Sequence, residues 1–417
     1  MMKYYPHWSS ATGAARARHR ETYLFRVVWC YYQLIMRKLA PIIRFLGNQA
    51  LNQVSISKRP MYGFILVTEG CNSRCTYCGF WKTRMADELS TEEWKRILDD
   101  MRELGVTNVT WSGGEPLLRR DLFELAKYSY DIGMMNNLVT NFIVFKESMI
   151  EPMSEYFVTI GISIDSHRPE IYRELRGVDW LPRIIENFGK LRKGLVKRQS
   201  STFTLALNTV TALNIDSTHD LIHYLMDDIS FDSISFQLVD TEKGGLDTYG
   251  KPNDYLEPSG EQIEKFRQLV RGHKKQYPII NSGRYLDQFG AFDYDCNPWK
   301  CIQIDSHGYL QTPCLRLAKD KGKKINLREQ RLVDIWKSED VQNIYRSYNE
   351  CNLCNYYCVV DTAWTSTDFT FFINDLLLGI TLPLRRRIGQ RNNAKIPPGR
   401  CDYYNSESPK INLPVLK

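Results

Sequence analysis

From Met61 onward the chain alternates short apolar runs with amphipathic stretches, and this alternation narrows the folds open to it. The runs YGFILV, NVTW, NLVT, VTIGISI, FTLALN and SISFQLV are short, rich in β-branched or aromatic residues, and bounded by turn residues, so they predict strands. The stretches between them carry helical periodicity. In STEEWKRILDDMRELG, Ser90 can serve as N-cap, Glu93 stands three residues on to close a capping box, and Gly105 can end the helix. Strand, crossover helix and strand, repeated through these six runs, predict an α/β fold. Its parallel sheet, covered by helices, is either open or curled into a partial barrel.

Chemistry in such sheets gathers at the C-terminal ends of the strands. The first strand runs straight into TEGCNSRCTYCGFW, which places Cys71, Cys75 and Cys78 at that end. Three thiolates can hold zinc or an iron–sulfur cluster, and both normally take four protein ligands. No fourth cysteine stands near, so one metal position would stay open to a small molecule.

Nine of the 11 cysteines fall in three tight groups, this one and Cys296/Cys301/Cys314 and Cys351/Cys354/Cys358; Cys30 and Cys401 stand apart. In a chain of 417 residues without a cleavable signal pattern, such grouping points to reduced thiols and metal ligation over a disulfide framework. The net charge of +7 is too mild to indicate a nucleic-acid partner.

The spacing C-x3-C-x2-C, with Tyr77 before the last cysteine, is followed after the second strand by WSGGEPLLR. With both motifs in these strand contexts, residues 61–240 resemble the radical S-adenosylmethionine superfamily. The resemblance implies a partial (β/α)6 TIM-type barrel in which Cys71, Cys75 and Cys78 ligate a 4Fe–4S cluster. The amine and carboxylate of S-adenosylmethionine would take the open iron. One electron, from a donor such as ferredoxin or flavodoxin, would then release a 5′-deoxyadenosyl radical that abstracts hydrogen from an unactivated carbon. Tyr77, Gly113, Gly114, Glu115 and Pro116 become expected cofactor contacts, with Glu115 accepting from the methionine amine. Ser163 and Asp165 in ISIDS, and Asn208 in LALNTV, become candidates for ribose and carboxylate contacts. Read from the residues alone, GGEP is a turn, and Ser163 and Asp165 cap the helix that follows them.

The segments CNPWKCIQIDSHGYLQTPC and CNLCNYYC, with Gly308 at a hairpin turn, resemble the SPASM extension or its shorter twitch form. That implies at least one auxiliary 4Fe–4S cluster on thiols among Cys296, Cys301, Cys314, Cys351, Cys354 and Cys358, the alternative being a zinc ribbon. No seventh cysteine follows closely; Cys401 is the later candidate. Weak periodicity here predicts a region held by metal in place of a core. The expected organisation is an amphipathic segment over 1–59, the barrel over 60–240 and a connecting loop and helix over 241–290. The auxiliary region covers 291–360, and an apolar and basic tail covers 361–417.

Residues 22–46 put Leu24, Val28, Tyr31, Ile35, Leu39 and Ile42 on one helical face and Arg26, Arg37 and Arg44 on the other. Near the other end, FTFFINDLLLGITLPLRRR joins apolar residues to Arg385, Arg386 and Arg387. Either segment can pack on the barrel; together they predict a cytoplasmic protein held peripherally at the membrane face, with a lipid or isoprenoid substrate. A peptide or protein maturase is the alternative, although the first 60 residues lack the strand pattern of a leader-binding domain. A non-catalytic iron–sulfur electron carrier is the third reading, one that would need neither GGEP nor an open iron.

Overall fold

The structure, a computed structural model, describes residues 43–48, 59–82, 86–240, 254–291, 294–315, 317 and 325–352. Six strands run in parallel and in sequence order: β1 (Tyr62–Thr68), β2 (Asn108–Gly113), β3 (Met135–Thr140), β4 (Phe157–Ser163), β5 (Phe203–Val210) and β6 (Ser233–Leu238). The predicted runs therefore all become strands. Buried and half-buried residues alternate along β2 and β3, whereas β1, β5 and β6 are buried along most of their length.

The connecting helices are α1 (Thr91–Leu104), α2 (Leu122–Asp131), α3 (Ile150–Tyr156), α4 (Pro169–Arg176), α5 (Leu181–Lys197) and α6 (Thr218–His223). Helix α1 shows how local sequence sets an element. Ser90 and Glu93 form the reciprocal capping box, and Gly105 takes φ +110° to close the helix. Its buried face, Trp94, Ile97, Leu98 and Met101, lies so close to β1 that a Cβ at Gly63 would stand 1.9 Å from the Met101 methyl carbon.

The sheet does not close. Its order is β6-β5-β4-β3-β2-β1-β7-β8-β9, with β7 (Cys301–Ile304) joining β1 in parallel and pairing Cys301 with Tyr62. Strand β7 then turns back through Gly308, at φ +88°, into β8 (Tyr309–Leu310), which pairs antiparallel with β9 (Ile325–Asn326). This is the partial barrel expected, with an antiparallel extension on the β1 edge.

The expectation of a region held by metal in place of a core does not survive. Trp299, Ile302, Ile304, Leu310, Ile325 and Leu327 are buried in the same apolar cluster as the barrel. So are Trp336 of α9 (Leu332–Lys337) and Tyr345 of α10 (Glu339–Ser347), after α7 (Gly260–Lys274) and α8 (Gly283–Gln288). The short elements gave too few turns for a period to show, yet each supplies one or two large side chains to the shared core.

Candidate active site

The cysteine loop leaves β1 and is clasped from two directions. On one side it meets the end of α4, whose last carbonyls have no partner within the helix. Leu175 O accepts from Thr76 N at 2.9 Å, and Arg176 O accepts from Arg74 N and from Ser73 Oγ, both at 3.0 Å. Gly177 permits the approach: it sits at φ +65°, and a Cβ there would lie 2.3 Å from Arg74 O. The three thiols share this loop, and none of the described cysteines is in a disulfide.

Donors from the chain point at the sulfurs. Ser73 N lies 3.5 Å from Cys71 Sγ, Ser73 Oγ 3.4 Å from Cys75 Sγ, and Arg176 Nη1 3.7 Å from Cys75 Sγ. Burial raises two of the thiols, Cys71 to about 11 and Cys78 to about 12; Cys75 raises both further, while Ser73 N draws Cys71 back. Three crowded thiols, Cys71 and Cys78 raised by burial and Cys71 and Cys75 met by N–H and O–H donors, are a donor set that a soft, positively charged iron centre would complete.

Arg176 also binds Asp165 as an ion pair, Nε to Oδ2 2.6 Å, and Nη2 donates a hydrogen bond to Oδ1 at 3.0 Å. Tyr77 donates its hydroxyl to Asp165 Oδ2, and the guanidinium carbon lies 5.6 Å from the Tyr77 ring centroid. Thr209 N donates to Asp165 Oδ1 at 2.8 Å. Burial opposes the charge on Arg176, but Asp165, Tyr77 and Cys75 outweigh it and hold the guanidinium firmly protonated. Asp165 is therefore the anchor of Arg176 and Tyr77, and the reading of Ser163 and Asp165 as helix caps fails. The N-cap of α4 is Arg168, without a side-chain cap; Ser163 closes β4. Asn208 donates to Ile164 O at 3.1 Å and Asp165 O at 2.8 Å, so its amide orders the β4 loop.

On the other side the loop meets GGEP. Gly114 N donates to Thr68 O at 2.8 Å and Glu115 N to Gly70 O at 2.7 Å. A Cβ at Gly114 would lie 2.2 Å from Gly70 O, and one at Gly113, at φ +131°, 2.3 Å from Thr68 O. These glycines thus let β2 press its backbone against the cysteine loop. Glu115 is fully buried; its carboxylate accepts from Leu117 N at 3.0 Å, Thr140 Oγ1 at 2.6 Å and Asn141 N at 2.7 Å, while Pro116 opens the 3-10 turn it caps. Burial pushes its carboxyl up to about 7 against those three donors. Asn141 carries the network onward to Asn72 Oδ1, at 2.7 Å, and to Cys71 Sγ, at 3.9 Å.

Two sequence comparisons bear on this site. The Radical SAM superfamily profile matches residues 65–222, and a domain of unknown function, DUF3463, matches residues 249–375. The chain is 34% identical over 303 residues to the PqqA peptide cyclase of Rhodopseudomonas palustris, covering 69% of this chain and 76% of that relative. The chain belongs to the radical SAM superfamily. It is also 35% identical over 251 residues to the PqqA peptide cyclase of Bradyrhizobium diazoefficiens, a match spanning 58% of this chain and 61% of that relative, under two thirds of its length. Among solved structures, Streptococcus suis SuiB bound to the precursor peptide SuiA has a TM-score of 0.59 at 18% identity, over 74% of this chain and 73% of that one, a likeness of fold. As a radical SAM enzyme the chain uses a 4Fe–4S cluster and S-adenosylmethionine, which together supply a carbon radical able to abstract hydrogen. The protein's part is to hold the three thiols, order the loops around them and keep water out.

Sequence reasoning missed Arg176 and Asn141, two side chains that reach the sulfurs from the end of α4 and from the loop after β3. No local motif marks either. Of the second cysteine set, Cys296, Cys301, Cys314 and Cys351 are described, whereas Cys354, Cys358 and Cys401 lie outside the described residues. Cys296 N donates to Cys351 O at 2.9 Å, which draws the ends of the region together. Burial, then the neighbouring Cys301 and Cys314, raises the Tyr345 hydroxyl well above its usual range. The four fit an auxiliary metal centre by type of donor.

Proposed function

We propose that this radical SAM enzyme modifies a peptide or protein, abstracting hydrogen from a carbon of the substrate with an electron from a donor such as ferredoxin or flavodoxin and with an auxiliary 4Fe–4S cluster on the second cysteine set. What carries the peptide reading is the 34% identity to a PqqA peptide cyclase across 76% of that relative.

The lipid reading loses support. It rested on residues 22–46 and 369–387, of which 43–46 alone are described. There Phe45 is buried, its ring 5.8 Å from that of Tyr62, and Arg44 reaches to within 2.5 Å of where a Cβ at Gly133 would stand. The end of that amphipathic pattern packs on the barrel. Among the described residues no helix is long and apolar enough to cross a membrane.

The test uses natural substrate pools. Extracts of cells grown in deuterated medium are separated into peptide and lipid fractions and supplied to the reconstituted enzyme with unlabelled S-adenosylmethionine. Deuterium in 5′-deoxyadenosine from the peptide fraction is the expected result. Deuterium from the lipid fraction alone would return the lipid reading to first place.

A further inference from the structure

Helix α6 carries His219 and His223 one turn apart on one face, and α7 brings His273 across to them. Three of the seven histidines of the chain thus meet on the outer helical layer, on elements that carry none of the cysteines. Their ring centroids lie 4.7 Å (His219 to His223), 5.0 Å (His219 to His273) and 5.5 Å (His223 to His273) apart. One nitrogen from each falls within 4.8 Å of the other two, and His219 Nδ1 stands 3.0 Å from His273 Nε2.

Those distances suit one small ion. Nitrogens at about 2.0–2.1 Å in a tetrahedral site are about 3.3 Å from one another. The His219 and His273 pair is already that close, and His223 needs a small side-chain rotation to complete the set.

The surroundings add a second argument. His223 Nδ1 lies 2.9 Å from Asp227 Oδ2, which also accepts the Tyr277 hydroxyl at 2.6 Å. A carboxylate that takes the Nδ1 hydrogen fixes the tautomer whose Nε2 lone pair faces outward, the usual support of a metal-binding imidazole.

We propose that His219, His223 and His273 form a three-histidine site for a divalent transition metal, zinc by the nature of its ligands, with a fourth position open to water. The ion would tie α7 to the barrel helix α6. Nitrogen ligands set this site apart from the two thiol sets.

The test uses the iron-loaded enzyme, passed over chelating resin and titrated with Zn²⁺ against a metallochromic indicator. Wild type should take up one equivalent more than the His219→Ala/His273→Ala double variant. Asp227→Asn, which keeps all three ligands, should weaken that equivalent by about tenfold to a hundredfold. His307→Ala, at a histidine elsewhere in the fold, should leave it unchanged. Co²⁺ bound in place of zinc by wild type should show ligand-field bands of nitrogen and oxygen coordination without thiolate charge transfer, a readout that stands even if a variant fails to fold. Equal zinc uptake by wild type and a folded double variant overturns the site, as does a thiolate spectrum for the cobalt form.

Discussion

Arg176 and Asp165, at the two ends of the segment from the β4 loop to the end of α4, form a buried ion pair beside Cys75. Removing one partner leaves the other charge buried and unpaired. Arg176→Leu should therefore lower apoprotein stability by about 3–5 kcal/mol, measured by urea unfolding. Removing both, in Asp165→Leu/Arg176→Leu, should cost less than the single change. A single-variant loss below about 1 kcal/mol would mean that water reaches the pair.

Replacing Cys71, Cys75 and Cys78 together by Ala should remove one cluster's iron while sparing the iron held by the second set, because the two sets lie on separate segments, one on the loop after β1 and the other beginning beside β7. Reductive cleavage of S-adenosylmethionine should stop. Iron analysis and 5′-deoxyadenosine assay check both halves, and retained cleavage would remove the loop from the chemistry.

If Glu115 accepts from the amine of S-adenosylmethionine, as the GGEP resemblance implies, cofactor binding should depend on pH. Its carboxyl, pushed up to about 7 by burial, is largely protonated below that pH, and only the ionised form would attract that amine. Affinity should therefore fall as pH drops from 7.5 to 6 by about tenfold per pH unit at most. In Glu115→Gln that dependence should vanish. Glu115→Ala should weaken binding by about tenfold to a hundredfold, from the loss of about 1.5–3 kcal/mol in a charge-assisted hydrogen bond. Equilibrium dialysis across pH checks all three.

Gly114→Ala should prevent cluster loading while leaving secondary structure intact. The added carbon would meet Gly70 O at 2.2 Å and Glu69 O at 2.5 Å, both backbone atoms that cannot rotate away. The loop bearing Cys71 must shift to make room. Iron content at unchanged circular dichroism decides it, and full loading would show that the loop tolerates displacement.

Much of this was legible because the signals are local. Ser90, Glu93 and Gly105 lie within one helix, and Cys71, Cys75 and Cys78 within one loop, so spacing alone places them. Arg176 and Asn141 escaped because each reaches its sulfur from a distant element, Arg176 from 101 residues beyond Cys75. The sequence singles out Asp165 but not its partners, since Arg176, Tyr77 and Thr209 come from three other elements. The β7 pairing with β1 was hidden for a like reason. A strand of four residues carries no period, and its partner lies more than 230 residues earlier.

That pairing fixes a distance. Cys301 sits opposite Tyr62, where β1 begins, whereas Cys71 follows the other end of β1, beyond Thr68. At about 3.3 Å per residue the strand alone sets the two cysteine sets about 20 Å apart. A small substrate held beside Cys71 is a strand's length from Cys301, and β1 is the ruler that sets that span.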